Sequence, residues 1–305
     1  MDLRSPSAMS ELHPSLKKIL DRLGDLLERV RDPQNDDWDP ILLGLLLAKL
    51  EYEELDVDLE HRRYMHLADQ IKTQLPQKVR LREKTTAFIR MFSQEMGFQG
   101  DTTNYYNPKN SFLNDVYLRR KGIPISLSLV FMGLARLAGL KTVGISFPGH
   151  FLVKMLPNSD DEEFFDSNNQ LFIDSFEGGR ILSVDDCKQR LEEWTRGLVP
   201  FGPEVLRVAH PRDILSRMLR NLRAIYAEKE DLPRLYWVLS ALVEICPTEK
   251  GESLKERGFL MARMGRYTQA IEDLRAYLQM TSDPRKYEQV EKILRAFELQ
   301  KETVN

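Results

Sequence analysis

The stretch from Pro124 to Ala138 constrains the fold most, because it is apolar on almost every side. Its sequence, PISLSLVFMGLARLA, gives a helix with almost no polar face to turn toward water. We therefore predict a central, buried helix that begins at Pro124, since proline is favoured in the first helical turn. Gly139 follows directly and is placed to end this helix.

The sequence before this stretch predicts helices only. Apolar residues at helical spacing mark residues 14–31, 40–54, 64–75 and 88–96, and Gly97 closes the last of these helices. Asp39 is a plausible N-cap for the second of them. A short helix, SFLNDVYLRR, follows and is expected to end at Gly122.

Strand patterns begin after Gly139. The segments KTVGISF, HFLVKML and QLFIDSF read as strands at residues 141–147, 150–156 and 170–176. The sequence SVDD, beginning at Ser183, is typical of a helix start, and this helix is expected to run to about residue 196. Helices followed by a group of strands and a further helix predict an α+β fold with a helical N-terminal part.

The C-terminal part is predicted to be all helical and repetitive. Two prolines and two glycines in GLVPFGPEV, at 197–205, mark a domain boundary. Beyond it, residues 230–247 align with residues 265–282 in the manner of tetratricopeptide repeats. A final helix at 285–299 would cap the array. The predicted divisions are therefore an N-terminal helix and linker, a central domain and a repeat domain, at 1–37, 38–196 and 197–305.

Composition excludes several classes of function. The net charge of −3 and the pI of about 6.1 give no reason to expect nucleic acid or an anionic membrane as partner. The longest apolar run, ILLGLLLA at 41–48, is too short to span a bilayer. Cys187 and Cys246 form no CxxC pair and the N-terminus has no secretory signal, so we expect a cytoplasmic protein. No cofactor or metal is expected.

Three segments together resemble a known family. They are YYNPKNSFLNDVYLRRKGIPISLSLVFMGLARLAGL, PGHFLVK and LFIDSFEGGRILSVDDC, and they are similar to the bacterial SirB-type family. The resemblance implies a transglutaminase-like domain, a helix packed on an antiparallel sheet, followed by tetratricopeptide repeats. Active members of the superfamily use a cysteine at the start of that helix, then a histidine and an aspartate on successive strands.

The resemblance assigns these positions residue by residue. Gly122, Ile123 and Pro124 lie where the family motif has Gly-x-Cys, so the cysteine is replaced by Pro124. His150 matches the histidine, and Asp174 matches the aspartate. A proline ring has no heteroatom that could attack a carbonyl, so the nucleophile of the mechanism is missing.

Other residues could in principle replace the cysteine. Ser128 lies four positions after Pro124, on nearly the same helix face but roughly 6 Å further along the axis. Our first expectation for Ser128 is a hydroxyl bonded to its own helix backbone. Cys187 is interpreted as a structural thiol. For His150 we expect a ring that satisfies a buried carboxylate, on a strand that alternates faces with Phe151.

The repeats suggest a partner surface. The family register places Arg217, Arg220, Lys255 and Arg263 near positions that line the groove of such arrays. A basic groove would favour an acidic protein or peptide segment or a free C-terminus. The main hypothesis is thus a non-catalytic interaction or regulatory protein. The alternative is a hydrolase or acyl-transfer enzyme that uses His150 and Asp174 with Ser128 or a bound water.

Overall fold

A computed structural model describes residues 14–33, 38–157 and 170–304 of the chain. The described residues form two compact units, the first from 22 to 218 and the second from 219 to 304 together with 14–21. The division into 1–37, 38–196 and 197–305 stays a prediction, and residues 1–13 and 34–37 of it lie outside the described residues.

The secondary structure of the described residues is as follows. In chain order the helices α1 to α12 are Pro14–Glu28, Pro40–Glu51, Val57–Gln74, Leu81–Ile89, Leu113–Arg119, Pro124–Leu137, Val184–Thr195, Pro211–Glu228, Leu232–Ile245, Lys250–Arg263, Tyr267–Met280 and Pro284–Val304. A π-helix, Arg90–Glu95, continues α4. The strands β1 to β6 are Gln99–Gly100, Lys121–Gly122, Lys141–Ile145, Leu152–Leu156, Phe172–Asp174 and Arg180–Leu182. No helix among the described residues combines the length and apolarity that crossing a bilayer would require.

Helix α6 lies at the centre of the first unit, as its sequence predicts. Every residue from Pro124 to Ala135 is buried, and Gly139 ends the helix region with a left-handed φ of +88°. A Cβ atom on Gly133 would come within 2.4 Å of the Ile41 side chain in α2. The close approach of these two helices therefore depends on the missing side chain at position 133.

A methyl group at position 133 should force α6 and α2 apart. We expect Gly133→Ala to lower the free energy of unfolding by about 1–3 kcal/mol, the usual cost of overpacking a core. Gly24→Ala is the matched control, because a Cβ there meets nothing within 4 Å and alanine favours a helix by about 0.5–1 kcal/mol. Urea denaturation of both variants checks the pair. If Gly133→Ala and Gly24→Ala have the same free energy of unfolding, α6 and α2 can separate without cost.

The sheet of the first unit has two covered faces. Strands β3, β4, β5 and β6 are neighbours in that order, and all three pairings are antiparallel. On one face, Val143, Leu152 and Phe172 pack in one apolar cluster with Cys187 and Leu191 of α7. Helix α6 contacts β3 and β4, and its Ser128 bonds to Ser175, which is adjacent to β5. The helix-on-antiparallel-sheet core expected from the resemblance is confirmed, and β6 was not predicted.

Three local predictions are wrong. Helix α5 ends in a left-handed residue at Arg120 (φ 58°), not at Gly122, and the Arg120 guanidinium lies 4.5 Å from the Tyr117 ring centroid. The helix predicted for 88–96 is α4 followed by the π-helix, although Gly97 does end it with φ +77°. His150 is not part of a strand, because β4 begins two residues later, at Leu152.

The second unit is all helical, which confirms the predicted fold of the C-terminal part. A Cβ on Gly258 of α10 would lie 2.9 Å from Leu274 of α11, so the two helices of this repeat pack closely at a glycine. Helix α12 packs Val290 and Leu294 into the same apolar cluster as Leu274. It begins and ends within a few residues of the helix predicted at 285–299.

A buried ion pair joins three helices of this unit. The guanidinium of Arg257 in α10 donates two hydrogen bonds of 2.7 Å to Asp273 in α11, and a third of 3.1 Å to Ser240 in α9. Both charged side chains are largely buried, with 13% and 11% exposed. Neither residue carries a signal in the sequence, because charged residues on repeat helices are usually solvated.

Candidate functional site

The structure brings His150 and Asp174 together. His150 follows a turn at Gly149, whose φ is +73°, and Asp174 is the last residue of β5. Nε2 of His150 lies 2.9 Å from Oδ1 of Asp174, and both side chains are buried. The two atoms are at ion-pair distance but not in hydrogen-bond geometry, and within the described residues Nε2 has no hydrogen-bond partner. The ring thus faces a buried carboxylate without a hydrogen bond to it, and the expectation that the ring satisfies this carboxylate stays a prediction.

The carboxylate of Asp174 has several partners besides the histidine. Its Oδ1 accepts hydrogen bonds from the backbone N–H groups of Phe176 and Glu177, at 3.0 and 3.1 Å. Its Oδ2 accepts a hydrogen bond of 3.1 Å from Nη1 of Arg190. Asp174 therefore fixes the turn between β5 and β6 and anchors α7, which are structural tasks.

Arg190 is the site residue that the sequence analysis missed. From α7 it contacts Asp174, donates to both carboxylate oxygens of Glu177, and lies 5.4 Å from the Trp194 ring centroid. The hydrogen bonds to Glu177 are the main reason that its pKa is raised above the usual value. Its place in the sequence offered a weak signal, because Cys187, Arg190, Leu191 and Trp194 share one face of a helix at i, i+3, i+4 and i+7.

Pro124 is the first residue of α6, where the resemblance implies a nucleophile. The helix start is closed by Ser126, whose Oγ accepts the backbone N–H of Ile123 at 3.1 Å and donates to the Asn110 carbonyl at 2.5 Å. Ser126 is therefore committed to the helix start. The proline ring itself offers no atom that could act as a nucleophile.

Ser128 has different partners from those expected. Its Oγ lies 2.9 Å from the hydroxyl of Ser175 and 3.5 Å from the Phe151 carbonyl, so the expected bond to its own helix backbone is wrong. Asp174 is the last residue of β5 and Ser175 is the first residue of the turn after it, and their side chains contact different elements. Ser175 bonds to α6 and Asp174 to α7. In the described residues, Ser128 makes no hydrogen bond to His150.

Cys187 lies in the apolar cluster between the sheet and α7 and is completely buried. Burial raises the pKa of its thiol to about 12, and the neighbouring Asp186 contributes to this increase. The reactive form of a cysteine is the thiolate, which is scarcely populated at neutral pH at such a pKa. The interpretation as a structural thiol therefore agrees with its surroundings.

Aromatic rings surround the histidine. The His150 ring centroid lies 4.8 Å from that of Trp194 and 6.1 Å from that of Phe176. Tyr105 contacts Phe176 in turn, at 6.0 Å, and Tyr106 contacts Tyr105 at 5.3 Å. Tyr106 and Trp194 are exposed, so the buried His150 and Asp174 lie next to a partly exposed aromatic surface.

The four cations predicted to bind a partner all have contacts within the chain. Arg217, in the first unit, donates to the Phe147 carbonyl at 3.1 Å. In the second unit Arg220 lies 3.3 Å from Glu249, Arg263 lies 3.4 Å from Glu230, and Lys255 pairs with Glu252. Arg217 therefore belongs to a different compact unit from the other three. Their role in binding stays a prediction.

Comparisons with known proteins agree with this architecture. Residues 61–220 match the transglutaminase-like superfamily and residues 222–295 match a tetratricopeptide repeat model. The chain therefore has a transglutaminase-like domain followed by repeats of a kind that generally mediates protein–protein interaction, as the resemblance implies. No solved structure is significantly similar to it.

Its relatives define the family. A UPF0162 protein of Xylella fastidiosa strain Temecula1 is 32% identical over 250 residues, which cover 81% of this chain and 85% of that protein. A UPF0162 protein of Vibrio cholerae is 25% identical over 80% of this chain and 88% of its own length. F-box only protein 21 of Homo sapiens is 29% identical over 48% of this chain and 22% of its own length. The chain belongs to the family of the UPF0162 proteins. The bacterial relatives fit the predicted bacterial origin, while the SirB-type assignment itself stays a prediction.

Proposed function

We propose that this protein is a non-catalytic interaction protein, in which a transglutaminase-like domain without a nucleophile is joined to partner-binding repeats. The observation that carries the proposal is the use of Asp174, which accepts two backbone N–H groups and the Arg190 guanidinium in addition to facing His150. These partners give the carboxylate a structural role that requires no catalysis.

The residues that could attack a substrate support the same proposal. Pro124 has no nucleophilic atom, Ser128 bonds to Ser175, and the Cys187 thiol has a pKa of about 12. Nucleophilic catalysis at this site would need either a cysteine thiolate or a hydroxyl group within hydrogen-bond reach of the histidine. None of these three residues meets that need.

The repeats are the proposed partner-binding element. Arg220, Lys255 and Arg263 would exchange their carboxylate partners within the chain for those of an acidic segment. Because such partly exposed pairs contribute only about 0–1 kcal/mol each, the exchange is feasible but yields modest affinity. Cys187 and Cys246 are buried and form no disulfide, which accords with a reducing cytoplasm as the place of action.

A second candidate is a hydrolase in which His150 activates a water molecule. The observation in its favour is that His150 and Asp174 are assembled at 2.9 Å, although the cysteine is absent. In that case Asp174 would orient the ring, as in other histidine-dependent hydrolases.

A comparison of three proteins separates the two functions. Wild type, His150→Ala and Pro124→Cys would be assayed with a panel of amide and ester substrates. The interaction proposal expects wild type and His150→Ala to hydrolyse every substrate at the same background rate. Hydrolysis by wild type that His150→Ala reduces at least about tenfold would establish the second candidate instead. Activity gained only in Pro124→Cys would support a lost nucleophile.

A capture experiment tests the repeats directly. The full-length chain and an Arg220→Glu/Lys255→Glu/Arg263→Glu variant would be used as bait in lysate of the source bacterium. We expect the proteins retained by wild type to be depleted in the variant, with circular dichroism confirming that it is folded. Identical captured proteins would remove these cations from the binding surface.

A further inference from the structure

An open cleft lies beside α4 in the first unit, away from the His150 site in sequence. Its volume is about 630 Å³, and its lining includes Arg82, Thr86 and Arg90 from α4 and the π-helix, and Pro76 from the segment after α3. Volumes of about 300–1,000 Å³ are typical of ligand-binding clefts.

The cleft has a regular arrangement of charge. Arg82, Thr86 and Arg90 are spaced four residues apart, so they share one face of the helix. Eight residues correspond to a rise of roughly 12 Å, which separates the two arginine backbone positions along the cleft. The rest of the lining is Pro76 and Ala87, which are apolar, Gln74 and Thr86, which are neutral and polar, and one carboxylate, Glu83.

The segment that carries these arginines is strongly basic. The sequence KVRLREKTTAFIR, from Lys78 to Arg90, contains five basic residues and one acidic residue, in a chain whose net charge is −3. Arg82 is exposed and makes no ion pair or side-chain hydrogen bond with any described residue. Arg90 lies 3.3 Å from Glu95, and both of these side chains are largely exposed. Such concentrated charge is complementary to an acidic ligand.

We propose that this cleft binds an acidic segment of a partner polypeptide. Carboxylates of the segment would pair with Arg82 and Arg90, and an apolar side chain between them would contact Ala87 and Pro76. An extended peptide rises about 3.3 Å per residue, so acidic residues about four positions apart match the spacing of the arginines. The inference goes beyond the proposed function, because this surface belongs to the transglutaminase-like domain and not to the repeats.

The composition of the cleft favours a peptide over nucleic acid. Glu83 contributes to the lining, and a carboxylate there would repel one of the evenly spaced phosphates of a nucleic acid strand. The apolar lining residues Pro76 and Ala87 also have no equivalent partner in a phosphate backbone. A peptide, in contrast, can present a backbone N–H group or a neutral side chain opposite Glu83.

The test uses the full-length chain and a fluorescent probe peptide of about twelve residues, in which glutamates four positions apart flank leucine and alanine. Fluorescence anisotropy at low salt measures its affinity for wild type and for Arg82→Glu/Arg90→Glu. We expect the double variant to weaken binding at least about tenfold, since two charge-assisted contacts are lost. Raising the salt concentration should weaken binding to wild type more than to the variant.

Arg207→Glu/Arg295→Glu is the matched control, because it changes the net charge equally at side chains that are 76% and 71% exposed. It should bind the probe within about twofold of wild type. The triple repeat variant, Arg220→Glu/Lys255→Glu/Arg263→Glu, should also bind the probe as tightly as wild type. The proposal for the cleft and the proposal for the repeats are therefore tested independently. If either of these variants lost as much affinity for the probe as Arg82→Glu/Arg90→Glu, the assignment to this cleft would be overturned. Failure of wild type to bind the probe would overturn it as well. Tighter, Arg82-dependent binding of single-stranded DNA or pyrophosphate would overturn the peptide as ligand.

Discussion

Arg257→Ala is expected to lower the free energy of unfolding of the repeat unit by about 3–5 kcal/mol, which is the usual result of removing one partner of a buried ion pair. The substitution leaves the buried carboxylate of Asp273 without its two hydrogen bonds of 2.7 Å and leaves the Ser240 hydroxyl without its donor. Helices α9, α10 and α11 therefore lose their common polar contact. Native-state hydrogen exchange of the amides in these helices, followed by mass spectrometry, measures the effect.

Two further variants test whether the stability lost in Arg257→Ala comes from breaking the buried ion pair. Arg295→Ala removes an exposed pair with Glu291 on α12 and should cost less than about 0.5 kcal/mol. Arg257→Met combined with Asp273→Leu replaces the ion pair by apolar side chains of similar size and should recover most of the lost stability. A small effect of Arg257→Ala, similar to that of Arg295→Ala, would mean that water enters and solvates Asp273.

Much of the fold could be predicted because local residue patterns determine it. The apolar composition of α6 predicts a buried helix, and Gly139 ends the helix region with the left-handed φ that glycine favours. The close approach of α10 and α11 at Gly258 agrees with the repeat pattern. These features depend on neighbours in sequence or on a repeated unit, and a single sequence contains that information.

Other features depend on contacts between distant residues. Arg120 adopts a left-handed conformation and stacks on Phe98 and Tyr117, so its side chain, rather than the glycine two residues later, accompanies the end of α5. The turn that holds His150 outside β4 likewise cannot be distinguished from a strand by alternation alone. Sequence patterns do not contain such pairings, so the predicted end of α5 and the predicted start of β4 were wrong.

The candidate site was predicted only in part, for the same reason. The motifs located His150, Asp174 and Pro124, but Arg190 carries no motif and was missed. Its importance follows from contacts with Asp174 and Glu177, which are 16 and 13 residues away in sequence. The partners of Ser128 were also mispredicted, because Ser175 approaches from β5 and no local pattern indicates that.

The role assigned to Asp174 leads to the second large expected effect. Asp174→Ala should destabilise the first unit by about 3 kcal/mol or more, because it leaves two backbone N–H groups without an acceptor and removes a carboxylate from the buried Arg190. His150→Ala should cost less than half as much, because Asp174 keeps all three of its hydrogen-bond donors. Urea denaturation and the hydrogen exchange of amides in residues 174–182 measure both variants.

Asp174→Asn refines the comparison, because an amide oxygen can still accept the N–H groups of Phe176 and Glu177 while the negative charge opposite Arg190 is lost. Its cost should therefore lie between those of His150→Ala and Asp174→Ala. An aspartate held chiefly to orient a catalytic histidine would give the opposite order, with little loss of stability in Asp174→Ala and a large loss of hydrolytic activity. Substitution of a structural carboxylate removes stability, whereas substitution of a catalytic one removes activity. Stability and activity measured on the same three variants therefore decide which role Asp174 has.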